Sequence, residues 1–358
     1  MGSPERAQPG TCLTRLRTGI KDLFPGYFAL VMATGIVSTA VALDGAATLS
    51  GAMVGLTIVC YLVLMVAYGW RLAAYPHQFL ADAAEPRKAF AFFTFVAGSD
   101  VLGSRLAADG HYGATAALLI LASLAWVLLS YGMPLGLVTR HGTRSALAGS
   151  NGTWFLWIVG TQSVAVSLAS LRPPLASGLA AVAVGFWAVG VVLYLLIAGL
   201  VLMGLLHFPV EPATLTPAYW VFMGATAISV LAGAKLLGLP ADPLMAAVHP
   251  LVAGISVVLW AFGTWLIPLL IGLGVWRHLM RRVRLRYEPG LWSMVFPLGM
   301  YSAASHALGA ALGVPWLVTV GRDGAWVAFA VWAVVFAAML AFFAGALRTV
   351  PARLHPQA

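Results

Sequence analysis

Long apolar runs separated by short polar segments dominate the pattern of this chain. A helix that crosses a bilayer needs about 20 mostly apolar residues, and ten stretches have that length and character. They lie at approximately 25–43, 50–70, 88–107, 113–138, 152–170, 175–206, 217–237, 247–276, 290–312 and 325–347. Strands of a membrane barrel would alternate apolar and polar residues, so the pattern predicts an all-α membrane protein with ten transmembrane helices.

The composition indicates that lipid is the main solvent of the chain. Of the 358 residues, 61% are hydrophobic and 9% are charged, whereas about 25% of the residues in a soluble domain are charged. The connections between the predicted spans are too short to hold a soluble catalytic domain. We therefore divide the chain into a cytoplasmic N-terminal tail at 1–24, a transmembrane domain at 25–347 and a cytoplasmic C-terminal tail at 348–358.

The net charge of +9 is distributed unevenly between the two sides of the predicted bundle. Ten spans put both termini on one side, and that side then carries 16 of the 20 Lys and Arg residues. The positive-inside rule makes it the cytoplasmic side, which predicts a multi-pass protein of the inner or plasma membrane and leaves no reason to expect a nucleic-acid partner. The basic run at 277–286 fits this orientation signal first, with binding of anionic lipid as the alternative.

A cluster of small and polar residues recurs at mid-depth in the odd-numbered spans. Its glycines at 35, 98, 160, 224 and 299 are 63, 62, 64 and 75 residues apart, which is about the length of one helical hairpin. This period predicts five hairpins around a central pore, with odd spans inside and even spans facing lipid. The pore-lining candidates are Thr34, Gly35, Gly98, Ser99, Gly160, Thr161, Gly224, Thr226, Ser293 and Met300. In the alternative interpretation, small residues only allow close helix packing.

Four sequence motifs give the chain a family resemblance. They are FPGYFA at 24–29 leading into MATG at 32–35, GTW at 152–154, PAYW at 217–220 and LWSMVFPLG at 291–299. In this order they resemble the tellurite-resistance/dicarboxylate transporter family, which includes bacterial tellurite-resistance channels, yeast malate and sulfite transporters and plant guard-cell slow anion channels. The resemblance implies a five-hairpin pore protein, often a homotrimer, that passes small anions: a C4-dicarboxylate such as malate, sulfite, halide, nitrate or a tellurite-related anion.

The resemblance also implies that an aromatic ring of the ninth span closes the pore, and the Phe-Pro pair places that gate at Phe296. Pro297 removes a backbone donor and crowds the carbonyl of Ser293, which kinks a helix. A bulky apolar ring at a constriction closes a pore by steric block and dewetting. Simple helix packing is the competing interpretation of Phe296.

Ionisable residues within predicted spans are costly in lipid and are therefore functional candidates. Asp100 in the third span and His306 in the ninth both fall in the outer half of the bundle, where they could pair. Such a pair would stabilise the bundle, which we favour, or titrate as an ion-coupling element, because histidine changes charge near neutral pH. Lys235 is expected at the outer interface, with a contribution of positive potential to an outer mouth as the alternative.

The predicted function is transport of a small anion across the bilayer, with no cofactor, no metal and no catalytic residues. A proton-coupled secondary carrier that uses Asp100 and His306 is the first alternative. A membrane enzyme or electron-transfer subunit is the second, and it is disfavoured because the sequence shows no paired histidines for haem and no nucleophile signature. Nucleotide-binding motifs are also absent from the sequence, so nothing indicates transport driven by ATP.

Overall fold

A computed structural model describes residues 12–139, 149–240 and 243–348, and every regular element in these ranges is helical. Much of the predicted N-terminal tail, the C-terminal tail after residue 348, and the basic residues Arg6, Arg140, Arg144 and Arg353 lie outside the described residues. The all-α prediction is confirmed for the part of the chain that the structure describes.

The α-helices are numbered in chain order. They are α1 Cys12–Lys21, α2 Ala29–Leu43, α3 Ala47–Ala74, α4 Pro76–Ala84, α5 Phe93–Ala108, α6 Tyr112–Thr139, α7 Phe155–Ala169, α8 Pro173–Gly178, α9 Ala180–His207, α10 Val221–Leu237, α11 Pro243–Val275, α12 Trp292–Leu312 and α13 Pro315–Arg348. Helix α11 continues into a π-helical turn at Trp276–Met280.

Eight segments within the described residues are long and apolar enough to cross a membrane, and each corresponds to a stretch expected from the sequence. Helices α5 and α12 match the two remaining stretches but are not among these eight. Helix α5 carries Asp100 and Arg105, and both helices contain several small residues of low hydropathy. The chain is therefore a multi-pass α-helical membrane protein.

The long helices form two layers. Helices α2, α5, α7, α10 and α12 pack against one another in a closed cycle, and α3, α6, α9, α11 and α13 each pack on the inner helix that precedes them. In the apolar windows that contain α2, α7 and α10, 78 to 89% of the residues are buried, against 22 to 33% for the outer helices. The outer helices thus present the apolar surface that meets lipid.

Each inner helix begins with a short 3₁₀ turn. The five turns are Pro25–Phe28, Ala89–Phe92, Gly152–Trp154, Pro217–Trp220 and Pro289–Leu291. Proline at the start of a helix costs no hydrogen bond, because the first N–H groups have no intrahelical partner. Since the inner helices all run in the same direction, their five starts meet on one side of the bundle, which we call the proximal side; their carboxyl ends lie on the distal side.

Two boundaries differ from the sequence-based expectation. Helix α13 begins at Pro315 rather than near residue 325, and its first turns contain Arg322 and Asp323, which break the apolar run. The structure accommodates them at the distal end, where the guanidinium of Arg322 lies 3.7 Å from the carboxylate of Asp44. The tail at 1–24 also contains α1, which contacts the end of α3.

Candidate functional site: two cavities and Phe296

A cavity of about 700 Å³ opens among the amino-terminal ends of the inner helices. We call it the proximal cavity. Each of the five 3₁₀ turns contributes to its wall, and these contributions include Gly26, Ala91, Thr153, Ala218 and Gly290. Helix starts carry partial positive charge because their N–H groups have no partner in the helix. Five of them around one space contribute positive potential there, alongside the charged side chains of Arg87, Glu211 and Glu288 in the same wall.

The GTW motif holds the turns of this cavity together. The side-chain oxygen of Asn151 accepts hydrogen bonds from the backbone N–H (2.8 Å) and the hydroxyl (2.7 Å) of Thr153, while the Asn151 amide donates to the carbonyl of Arg87. The indole of Trp154 donates to the carbonyl of Pro86 at 2.9 Å. The start of α7 is therefore fixed to the segment that leads into α5, and Arg87 lies in the cavity wall.

The motifs at the two ends of the chain also meet on the proximal side. The hydroxyls of Tyr27 and Tyr287 are 3.3 Å apart, and the indole of Trp292 donates to Tyr287 at 3.1 Å. The hydroxyl of Tyr68 accepts from the backbone N–H of Tyr27 and donates to the carbonyl of Phe24. These contacts join the start of the first inner helix to the start of the last, next to Gly26 and Glu288 of the cavity wall.

A second cavity, of about 270 Å³, lies between the carboxyl-terminal halves of the inner helices. We call it the distal cavity. Its wall contains a carboxyl group from α5 (Asp100), an ammonium group from α10 (Lys235) and an imidazole from α12 (His306), together with the hydroxyls of Ser104 and Ser163. The rest of the wall is mostly aliphatic.

Phe296 lies on α12 between the two cavities. Ser293 lines the proximal cavity and Met300 lines the distal cavity. At 100° per residue these two positions share one stripe of the helix with Phe296. Phe296 is 0% exposed, and the seven helical steps from Ser293 to Met300 span about 10 Å along the axis. One buried aromatic side chain thus occupies the helix stripe that connects the two spaces.

Comparison with known proteins identifies the family. Residues 22–340 match the family model described as voltage-dependent anion channel. The chain belongs to the voltage-dependent anion channel family. This match confirms the resemblance predicted from the motifs, because slow anion channels are among the members named there.

Several curated proteins are similar to this family member. An uncharacterized membrane protein of Mycobacterium tuberculosis (strain H37Rv) is 51% identical over 148 residues, which cover 41% of this chain and 75% of the relative. Two uncharacterized transporters of Methanocaldococcus jannaschii are 25% and 24% identical. The first alignment covers 88% of this chain and 92% of the relative, and the second covers 89% and 94%. The family and these names indicate a transporter or channel.

The repeated glycines of this anion channel family member lie at helix interfaces. A Cβ atom added at Gly224 would lie 2.8 Å from a ring carbon of Pro297, and one added at Gly160 would lie 2.7 Å from Phe93. Gly35, Gly98 and Gly299 likewise face side chains of neighbouring inner helices. These contacts favour the packing interpretation of the glycine repeat, because each glycine lets two helices approach closely.

The repeated hydroxyls point away from both cavities, toward outer helices. The indole of Trp332 on α13 donates to Thr34 at 3.1 Å. The other members of this pattern are Ser99, which pairs with the Tyr61 hydroxyl at 2.9 Å; Thr161, which accepts from the Trp126 indole at 2.9 Å; and Thr226, which lies against Gly263 of α11. Of the ten pore-lining candidates, only Ser293 and Met300 line either of these two cavities.

The same pattern extends around the ring as a set of aromatic donors. Trp187 of α9 donates to the carbonyl of Ser229 on α10 at 3.0 Å, and Trp260 of α11 donates to the hydroxyl of Ser305 on α12 at 2.8 Å. Each inner helix thus makes a hydrogen bond with a Trp or Tyr of the preceding outer helix, and Trp332 closes the cycle back to α2. This set was not predicted from the sequence, although each even-numbered span contains at least two Trp or Tyr residues.

Asp100 and His306 line the same cavity but do not form the predicted pair. Within the described residues, neither a hydrogen bond nor an ion pair joins them; Asp100 instead accepts a 2.9 Å hydrogen bond from Ser163. Its other carboxylate oxygen is buried and accepts no hydrogen bond from the part of the chain that the structure describes. Lys235 is exposed and faces the distal cavity, which favours the alternative in which it contributes positive potential there.

Proposed function

We propose that this protein conducts small anions across the membrane along a path between its five inner helices. The path would run from the proximal cavity past Phe296 to the distal cavity. In this proposal all ten long helices cross the bilayer, so that α5 and α12, which carry polar and small residues, are shielded from lipid by the outer layer. Membership of the voltage-dependent anion channel family supports the proposal.

The observation that carries the proposal is the position of Phe296. Two cavities approach each other from opposite ends of the bundle, and the buried ring lies on the α12 stripe between them. Because a bulky apolar side chain excludes both ions and water from a narrow passage, this arrangement would be the closed state of the proposed path. Pro297 would help to fix the ring, since it packs against the surface that Gly224 leaves open.

The helix starts and one ammonium group support conduction of anions rather than cations. Helix starts surround the proximal cavity, and they attract negative charge. Lys235 lies in the wall of the distal cavity, which it shares with the Asp100 carboxyl and the His306 imidazole. We propose that the proximal side faces the cytoplasm, because Arg71, Arg87 and Lys88 lie near the helix starts and the basic run at 277–286 precedes the start of α12.

The test is anion flux through purified protein in liposomes, measured for chloride, nitrate, sulfite and malate. Phe296→Ala should raise the basal flux, because removal of the ring leaves the two cavities in open connection. Phe155→Ala is the matched control: this ring is equally buried but stacks on Phe222 at a centroid distance of 4.5 Å, away from the path.

Both substitutions remove a buried ring and should cost about 3–5 kcal/mol of stability, so a general effect of destabilisation would appear in both. Flux that rises in Phe296→Ala alone supports the gate. Wild-type flux in a folded Phe296→Ala protein, or an equal rise in Phe155→Ala, would contradict it. Absence of flux for every anion in both proteins would contradict the transport function itself.

A proton-coupled carrier is the second candidate, because Asp100 and His306 both line the cavity directly beyond Phe296. Without a direct contact between them, a transferred proton would have to pass through water or a bound solute. An imposed pH gradient would then drive uphill anion uptake, and Asp100→Asn would abolish that uptake. Anion flux that does not change with the pH gradient in either protein would eliminate proton coupling.

A further inference from the structure

The distal cavity contains a hydrogen-bond acceptor that no group among the described residues satisfies. Asp100 is 1% exposed. One of its carboxylate oxygens accepts from the Ser163 hydroxyl at 2.9 Å, and the other is buried and accepts no hydrogen bond from the residues that the structure describes. Leaving a buried polar group unpaired is costly, and more so when the group is charged, so this oxygen marks a place where a ligand with a hydrogen-bond donor would be stabilised.

A second unpaired group lies one helical turn further along α5. The hydroxyl oxygen of Ser104 is buried and has no partner within the described residues. Residues four apart lie on the same face of a helix, and both Asp100 and Ser104 line the distal cavity. One wall of the cavity therefore offers a carboxylate acceptor and a hydroxyl that can donate or accept.

An ammonium group and an imidazole line the same cavity from other helices. Lys235 comes from α10 and His306 from α12. No ion pair involves either residue within the described part of the chain, so their donors are not used by Asp100. Asp100, Lys235 and His306 are the titratable residues of this wall. Arg105, the next charged residue of α5, binds Asp109 and Ser50 instead.

A ligand that satisfies both walls carries a negative group and a separate O–H donor. We propose that the distal cavity is a binding site for small hydroxyl-bearing anions, with the anionic group toward Lys235 and His306 and the hydroxyl donating to the free oxygen of Asp100. Small 2-hydroxycarboxylates have this chemistry, and protonated oxyanions such as bicarbonate and bisulfite share it. The inference rests on the proposed function, because it names the anions that the path would select.

The size of the cavity agrees with such ligands. A volume of about 270 Å³ corresponds to about nine water molecules at their share of the liquid volume, which is room for an anion of a few heavy atoms with some of its water. A halide or nitrate would leave the Asp100 oxygen unpaired. Sites built to bind a ligand hydroxyl reject analogues that lack it, because the buried partner then stays unsatisfied.

Binding of lactate and propanoate to the purified protein in nanodiscs tests the proposal. The two ions have the same charge and carbon count and differ by one hydroxyl. Ligand-dependent thermal shifts at pH 7.5 give both dissociation constants. We expect lactate to bind at least about tenfold more tightly than propanoate, because propanoate would leave the free Asp100 oxygen unpaired.

Asp100→Asn is the diagnostic variant. Its amide oxygen can keep the bond from Ser163, while an NH₂ donor replaces the free acceptor, so lactate should lose its advantage and the ratio should fall to about one or below. Ser99→Ala is the matched control, because Ser99 is the neighbouring residue but binds Tyr61 outside the cavity. It should keep the wild-type ratio.

Equal affinities for lactate and propanoate in the wild-type protein would overturn the proposal, and this comparison does not depend on any variant folding. A lactate preference that survives in Asp100→Asn would also overturn it. The absence of a thermal shift with either ion would overturn it too, because water or a proton alone would then satisfy the Asp100 oxygen. If anion flux persists in liposomes while the two affinities are equal, only this inference fails; if no anion is transported, the proposed function fails as well.

Discussion

The hydrogen bond between Thr34 and Trp332 provides a direct test of whether the repeated hydroxyls serve packing or the pore. The bond joins α2 to α13 across 298 residues of sequence and closes the ring of helices. Both side chains are buried. Thr34→Val keeps the shape of the side chain and removes the acceptor, so the Trp332 indole N–H is left without its partner.

The expected cost follows from this single lost bond. A buried donor without a partner costs about 1–3 kcal/mol in proteins generally, and side-chain hydrogen bonds inside membrane bundles average about 0.6 kcal/mol, with a maximum near 1.7. We therefore expect a coupling free energy of about 0.6–1.7 kcal/mol between Thr34 and Trp332 in a double-mutant cycle of Thr34→Val and Trp332→Phe.

Equilibrium unfolding in mixed micelles, followed by circular dichroism, measures the four corners of the cycle. Anion flux in liposomes is measured on the same proteins. The packing role predicts lower stability for Thr34→Val and unchanged relative permeability among anions. A coupling near zero would refute the hydrogen bond, and altered permeability with undiminished stability would show that Thr34 faces the path after all.

Two further predictions concern the proximal side. Gly152→Ala should prevent formation of a stable fold, because its Cβ would run into the backbone of Ala218; Gly185→Ala on α9, where the added Cβ meets open space, should be neutral or stabilising, and the yield of monodisperse protein compares the two. Asp82→Asn should lower stability at pH 7 by about 3 kcal/mol, since it leaves the buried Arg71 guanidinium without its carboxylate. Burial raises the pKa of Asp82, but hydrogen bonds from Lys88 and Arg71 outweigh it and hold the pKa below its ordinary value. Its stabilisation is therefore present above about pH 4 and is lost on acidification through the lower folded-state pKa, and unfolding of Asp82→Asn measured from pH 7 to pH 3 should lack that loss.

The helices could be predicted from the sequence because the signal is long and local. Runs of apolar residues placed all ten long helices, and the main error came where this signal stopped. At residues 322 and 323 an Arg and an Asp interrupt the apolar pattern, yet α13 extends through them because Asp44 pairs with Arg322 and accepts a 2.6 Å hydrogen bond from the Trp326 indole. Asp44 is 282 residues away from Trp326 in the sequence.

The direction in which each side chain points could not be predicted in the same way. The inner helices are apolar on all faces, so periodicity does not distinguish the face toward the path from the face toward an outer helix. From the sequence, the hydroxyl of Thr161 is equally compatible with a water-filled lumen and with a tryptophan partner. In the structure it accepts a hydrogen bond from the Trp126 indole. For Phe296 the prediction rests on the family motif rather than on periodicity, and the gate role of this residue stays a prediction.

The positions of the polar groups bear on two properties of the proposed path, the rate of passage and the selectivity among anions. The repeated hydroxyls contact side chains of the outer helices and do not face the path. Phe296 would therefore oppose every small anion through the same steric and dehydration barrier. In the distal cavity, the free oxygen of Asp100 and the ammonium group of Lys235 would distinguish one anion from another. Under this proposal the rate of passage and the choice of anion depend on different residues. Loss of the Phe296 ring should therefore raise all fluxes by a similar factor, whereas replacement of Asp100 should change their ratios.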